Sequence, residues 1–203
     1  MDGYFETVCF FREYEKHLIL SDALKDRLRD YETVNLFREY GERSGTQDPL
    51  SRIQYIDIKT YLTDDILAKV DRASMANSLE VRCPLLDHTL MELVATIPTT
   101  LKLRGKVGKY LLKKSMEPLL PREIIYREKM GFGVPLGEWF RNGIKDFAHH
   151  YIIESVDPYL STRFVNKIWE QHQAGLRDRS AQLWSILMFR LWHQREIQPW
   201  SGQ

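Results

Sequence analysis

The sequence predicts an all-α fold, a compact multi-helix domain. Three features of the chain lead there. Apolar residues recur at intervals of three and four in successive segments, residues suited to capping precede those segments, and no apolar–polar alternation is long enough for several strands. Ser21 can cap a helix along which Leu24, Leu28, Leu36 and Phe37 recur, ending near Gly41. The stretch 41–48 reads as polar loop. Thr63 is placed to cap a helix whose first turn holds Asp64 and Asp65, where the dipole favours negative charge, and whose buried stripe is Ile66, Val70 and Ala73. Asp87 can cap the next, with Leu90, Leu93, Val94 and Ile97 on one face and Pro98 as its stop. Leu111, Leu112, Ser115 and Met116 suit a helix after the Gly108 turn. Pro121 and Pro135 can each open a short one, the second running through Trp139. Ser161 is placed to cap a helix that carries Phe164, Val165, Ile168 and His172. The last helix, 181–193, is apolar on nearly all sides, which is the pattern of a buried helix, with Trp184 and Trp192 in the core.

With 203 residues, 43% of them hydrophobic, the chain is long enough to bury a sizeable core. No repeat, low-complexity tract or long linker interrupts it, so one compact domain with a looser N-terminal section is expected. Twenty-nine Lys+Arg against 28 Asp+Glu leave a formal charge of +1, which argues against nucleic-acid or membrane-surface binding through bulk charge. Cys9 and Cys83 stand far apart and offer neither a disulfide framework nor a paired-cysteine zinc site, which fits a reducing compartment. No apolar run approaches the roughly 18 residues of a membrane span. The opening Met1-Asp2-Gly3-Tyr4 lacks the order of a signal peptide, so a cytoplasmic protein is expected.

Three segments contain residue types that can carry chemistry. The first is 126–136, where Gly131 and Gly133 flank Phe132 and would let backbone approach a ligand closely. Lys129 just before them supplies a mobile positive charge suited to a phosphate, unless the segment is a plain helix connection with a solvated lysine. In the second, 74–87, Glu80 and Arg82 fall in a short non-helical link. Arg82 suits a substrate carboxylate and Glu80 an amine or ammonia, unless the two form an internal ion pair bracing neighbouring helices. The third, Lys102 to Lys109, is not a phosphate loop: two residues instead of four separate Gly105 from Gly108, and Tyr110 follows Lys109 where Ser or Thr is needed. It reads as a solvated basic turn.

His149, His150, His172 and His193 lack metal-ligand spacing, so no metal site is assigned. The pair Asp64-Asp65 is accounted for by helix capping. Ser-His-Asp catalysis has no strand-turn-helix elbow to rest on.

The runs Gln54 to Leu62, Asp64 to Leu67, Lys69 to Arg72, Ser74 to Ala76, Leu79 to Arg82 and Pro84 to Asp87 resemble the synthetase domain of glutamine-hydrolysing asparagine synthetases. The likeness continues in the same order through Gly108-Lys109-Tyr110, Leu120-Pro121, Arg127 to Leu136 with Trp139, Ala181 to Trp184, and Leu191-Trp192. Residues 1–48 match loosely, so the chain is divided into that N-terminal helical segment and a helical C-terminal synthetase part over 49–203. The family joins a glutaminase, with a cysteine exposed after the initiator methionine, to a pyrophosphate-loop (adenine nucleotide alpha hydrolase-like) nucleotide fold. Neither the Met-Cys start, the Ser-Gly-Gly-x-Asp-Ser loop nor the acidic Gly-x-Asp-Glu segment occurs here. The resemblance therefore identifies the helical C-terminal portion of the synthetase domain, inactive alone.

The resemblance also implies a chemistry. ATP adenylates a carboxylate, that of aspartate in the first instance, ammonia from glutamine displaces AMP, and magnesium offsets the pyrophosphate charge. ATP and Mg2+ would be bound mainly by the N-terminal half. Lys129 aligns with the lysine that faces the adenylated intermediate, while Gly131 and Gly133 would let the loop close over it. Glu80 and Arg82 would line or brace the acceptor pocket, supported by Asp71, Arg72 and Ser74. The implied partners are the glutaminase and nucleotide-loop portions, with an apolar face left for them that would also serve a homodimer. The competing expectation is a non-catalytic helical interaction module derived from the same family.

Overall fold

The computed structural model describes residues 2–29, 31–128, 131, 133–155 and 157–197. The chain begins with α1 (Asp2–Val8), α2 (Glu13–Ile19) and α3 (Asp22–Leu28). Ser21 caps α3 as expected, its hydroxyl accepting the Leu24 N–H at 3.3 Å. The helix does not continue to Gly41. Arg29 turns to φ +33 and Tyr31 N–H closes onto the Leu28 carbonyl at 2.7 Å, so a separate α4 (Val34–Arg43) follows. The gap of eight between Leu28 and Leu36 in the expected stripe is where the two helices part.

Asp48 then caps α5 (Pro49–Asp57), accepting from Ser51 N–H at 2.7 Å, with Pro49 preset in the first turn. No new helix starts at Thr63. The backbone passes from α5 through a π-helical stretch, Ile58–Leu67, into α6 (Ala68–Met75), so Thr63, Asp64 and Asp65 lie within a continuous helix. The Thr60 hydroxyl donates to the Ile56 carbonyl at 2.8 Å in that stretch, a back-bond that competes with the backbone ladder. Asp65 is used in an i,i+4 pair with Lys69, not at a helix end.

A 3-10 turn, Pro84–Leu86, leads to α7 (His88–Thr96), where the Asp87 carboxylate accepts from Thr89 and Leu90 N–H at 3.0 and 3.2 Å. After α8 (Thr99–Lys102) comes a two-stranded hairpin, β1 (Leu103–Arg104) and β2 (Val107–Gly108), turning at Gly105 with φ +59. Helices α9 (Tyr110–Met116) and α10 (Arg122–Ile125) follow. The chain ends with α11 (Leu136–Arg141), α12 (Lys145–His149), a π turn His150–Glu154, α13 (Thr162–Gln173), α14 (Ser180–Trp192) and a π turn His193–Ile197. The all-α expectation holds, with this hairpin as a small addition.

The chain folds as two compact units: Met1–Phe5 with Glu32–Met130, and Glu6–Tyr31 with Gly131–Gln203. The second has a continuous core. Phe140, Ile152, Val165, Ile168, Leu183, Ile186 and Leu187 are buried together, and the N-terminal segment is tied in by Ser161 N–H to the Ile19 carbonyl at 2.7 Å. Trp184 and Trp192 are outside that core, on the exposed side of α14. His172 is fully inside, its Nδ1 accepting from Arg179 N–H at 3.1 Å, which leaves Nε2 to donate to the Gly137 carbonyl at 3.0 Å.

The first unit is built differently. Its buried apolar side chains among the described residues are Phe5, Val34 and Ile56. Val70 and Ala73, expected inside, are exposed, and the stripe of α7 is only partly covered, with Leu93 60% exposed and Leu90 and Ile97 half-buried. These helices carry the amphipathic pattern without fully burying it.

Candidate functional site

The first unit holds a cleft of about 630 Å³, within the range of small-molecule sites. One wall is the turn of the long helix bearing Gln54, Tyr55, Ile58 and Tyr61; another is α7 through Met91 and Val94. Asp57 and Lys102 put opposite charges on the lining. Asp57 also accepts a short hydrogen bond from the Tyr4 hydroxyl. Burial and that bond together push the Tyr4 phenol up to about 12. Asp48 is held below its ordinary range, first by the Ser51 N–H bond, with help from Thr99 and Lys102. No role for Tyr55, Tyr61 or Lys102 follows from periodicity; the available signal is that Gln54 to Leu62 opens the run resembling the synthetase domain.

Glu80 and Arg82 lie in the same unit, in the non-helical link after α6. The helix is ended by Ser78 at φ +58, with Asn77 and Leu79 N–H both closing on the Ser74 carbonyl, at 2.9 and 3.0 Å. Ser74 thus supports the link, and its hydroxyl donates to the Asp71 carbonyl at 3.1 Å. Asp71 and Arg72 are exposed on α6. Arg82 Nε donates to Glu80 Oε1 at 2.7 Å, and both side chains are exposed. The pair is real, but it is not an internal brace between helices: its partners are each other, in solvent. A pair so exposed is held weakly.

Gly131 and Gly133 are exposed in the second unit, with no side chain near where a Cβ would stand and no positive φ. Lys129 lies outside the described residues. The segment 102–109 is the basic turn expected, closed as a hairpin, with Arg104 donating to the Tyr110 hydroxyl at 2.7 Å over its ring. Among the described residues no three His, Cys, Asp or Glu side chains converge to hold a metal ion. No helix among the described residues is long and apolar enough to cross a membrane.

The asparagine synthase family model matches residues 7–194. Glutamine-hydrolysing asparagine synthetase 1 of Bacillus subtilis is 34% identical over 186 residues, covering 89% of this chain and 29% of that protein. A putative glutamine-hydrolysing asparagine synthetase of Mycobacterium bovis is 37% identical over 156 residues, covering 76% of this chain and 24% of its own length. The corresponding rat enzyme is 27% identical over 143 residues, 61% of this chain and 25% of that protein. The chain therefore spans about a quarter of the curated relatives it matches. No solved structure matches it. Ordered agreement from residue 7 to residue 194, with relatives above 30% identity over most of the sequence, places this chain in the asparagine synthase family.

Proposed function

We propose that this chain is the C-terminal helical part of an ATP-dependent, glutamine-hydrolysing asparagine synthetase, and forms one wall of its amide-forming site. The reaction is the adenylation of a carboxylate, that of aspartate, by ATP with release of pyrophosphate. Ammonia then attacks the acyl carbon, the C–O bond to AMP breaks, and the nitrogen gives up a proton to leave the amide. ATP and Mg2+ are held mainly by other parts of the intact protein, which also supply ammonia from glutamine.

Lys129 offsets negative charge on the acyl adenylate and its departing phosphate. Gly131 and Gly133 let the loop close and exclude water that would hydrolyse the intermediate. Glu80 offers a carboxylate to the incoming ammonia, and Arg82 a guanidinium to the acceptor's carboxylate. Because the two hold one another at 2.7 Å in solvent, ligand can replace the pair without leaving a buried charge unpaired.

The observation that carries this reading is the continuous family match over residues 7–194. The partly uncovered apolar stripes of the first unit agree with it, since a wall that packs on the rest of a synthetase leaves such faces bare when alone. The test is to assay the intact protein for asparagine formation and for glutamine hydrolysis with Lys129 and Lys129→Ala. Loss of the first with retention of the second supports the assignment; unchanged synthesis removes it.

A further inference from the structure

The second unit carries a groove of about 400 Å³ remote in sequence from Glu80, Arg82, Lys129, Gly131 and Gly133. One side is a face of α2, with Tyr14 and Leu18. The other is a face of α13, with Phe164, Lys167, Ile168 and Gln171 at helical spacing, and the turn 174–179 closes the end. Phe164 and Ile168 form a floor continuous with the core. Above them Tyr14 is 58% and Leu176 75% exposed, an apolar rim on the better packed of the two units.

The charge on the lining is one-sided. Glu15 is its sole acidic residue among the described ones, and it is already committed to Arg179 at 2.8 Å, where Gln171 Oε1 and Gln182 Oε1 accept from the same guanidinium. Lys167 and Arg177 are exposed and have no carboxylate within ion-pair distance among the described residues. The groove thus presents an apolar floor, two uncommitted cations and a fixed guanidinium, and no uncommitted anion.

We infer that this groove is a docking site for an acidic segment of another protein that carries one or two apolar anchor residues between carboxylates. The apolar anchors would cover Phe164, Leu18 and Leu176, and the carboxylates would meet Lys167 and Arg177. Charge complementarity fixes the sign of the partner, and the exposed apolar side chains of Tyr14 and Leu176 beside the two cations match a segment that carries apolar anchors between its acids.

The test uses the 203-residue chain and three fluorescein-labelled hexapeptides read by fluorescence anisotropy. They are Glu-Leu-Glu-Phe-Asp-Glu, the same peptide with every acid replaced by Lys, and the same peptide with Leu and Phe replaced by Ser. Binding of the first should be at least about tenfold tighter than of either control, and should weaken as salt is raised. The Lys167→Glu/Arg177→Glu variant should lose at least about tenfold, while Lys106→Glu/Lys145→Glu, with the same change in net charge, should bind as the parent does. Equal binding of the three peptides, no binding at about 1 mM, or a Lys167→Glu/Arg177→Glu variant that binds normally would overturn the proposal. So would 4-phenylbutyrate binding as tightly as the acidic peptide, which would mark a small-acid site.

Discussion

Arg190 and Asp157 form an ion pair sealed inside the second unit: Nε donates to Oδ2 at 2.9 Å, and each side chain is 3% exposed. Further hydrogen bonds brace the pair. Arg190 Nη1 donates to the carbonyls of Tyr151, Ile152 and Ser155, while Asp157 Oδ1 accepts from Tyr159 and Leu160 N–H, both at 2.8 Å. One arginine on α14 thereby fixes both the π turn after α12 and the loop that leads into α13. Arg190→Met strands the carboxylate and should cost about 3–5 kcal/mol. Urea unfolding followed by circular dichroism measures it, and a loss below about 1 kcal/mol would contradict the role.

His172 is the second internal fixture. Replacement by Phe keeps the ring but leaves the Gly137 carbonyl and the Arg179 N–H without partners in a buried setting. About 2–4 kcal/mol should be lost, from two unmet hydrogen bonds. A thermal unfolding midpoint equal to the parent's would refute the assignment of both ring nitrogens.

Glu15 gives the second unit an acid-sensitive contact. Burial raises its pKa, but hydrogen bonds from Arg179, Gln182 and Arg12 N–H outweigh it and hold the carboxyl below its ordinary 4.5. A depressed folded-state value means the contribution is complete above about 4.5 and disappears as pH falls through the folded value. The stability gap between the parent and Glu15→Gln should therefore be full at neutral pH and close in acid. A gap that stayed constant would show that ionisation of Glu15 is not what it measures.

Tyr4 provides the opposite case in the first unit. Its phenol is raised from 10.0 to about 12 by burial and by the bond to Asp57, so its contribution is intact below 10 and is lost as pH climbs toward 12. Phenolate absorbance should reveal a late-titrating tyrosine that Tyr4→Phe removes. If the late component survives in Tyr4→Phe, the contact with Asp57 is not its source.

The partly uncovered stripe of α7 should make the isolated chain self-associate. Leu93→Glu places a charge at its most open position and should shift sedimentation toward monomer while leaving helix content unchanged. Equal association of the two proteins would assign the contact to another face.

Legibility of the fold followed the locality of the interaction. Asp87 and Ser21 were readable as caps because a cap is decided within three residues. The expected start at Thr63 failed for the same reason in reverse: Asp48 and Pro49, fifteen residues earlier, had already begun a helix whose register carries through that point. Amphipathic spacing located the faces of the helix after 63 and of α7, but spacing does not say what covers a face. Val70 and Leu93 are accordingly on the pattern and outside the core. The Arg190–Asp157 pair joins residues 33 apart and leaves no periodic trace. At the candidate site, Glu80 and Arg82 were legible as a pair because they are two residues apart. The cleft of Tyr55, Tyr61 and Met91 required the fold, since its walls come from separate helices.

The most direct measurement is on the intact synthetase carrying Lys129→Ala, with asparagine formation and glutamine hydrolysis followed in the same reaction. The role proposed for Lys129 predicts that amide formation falls by about 10²–10³-fold while glutamine hydrolysis stays within about twofold of the parent. Asparagine formation at the parent rate would contradict the claim that this chain supplies the cationic wall of the site.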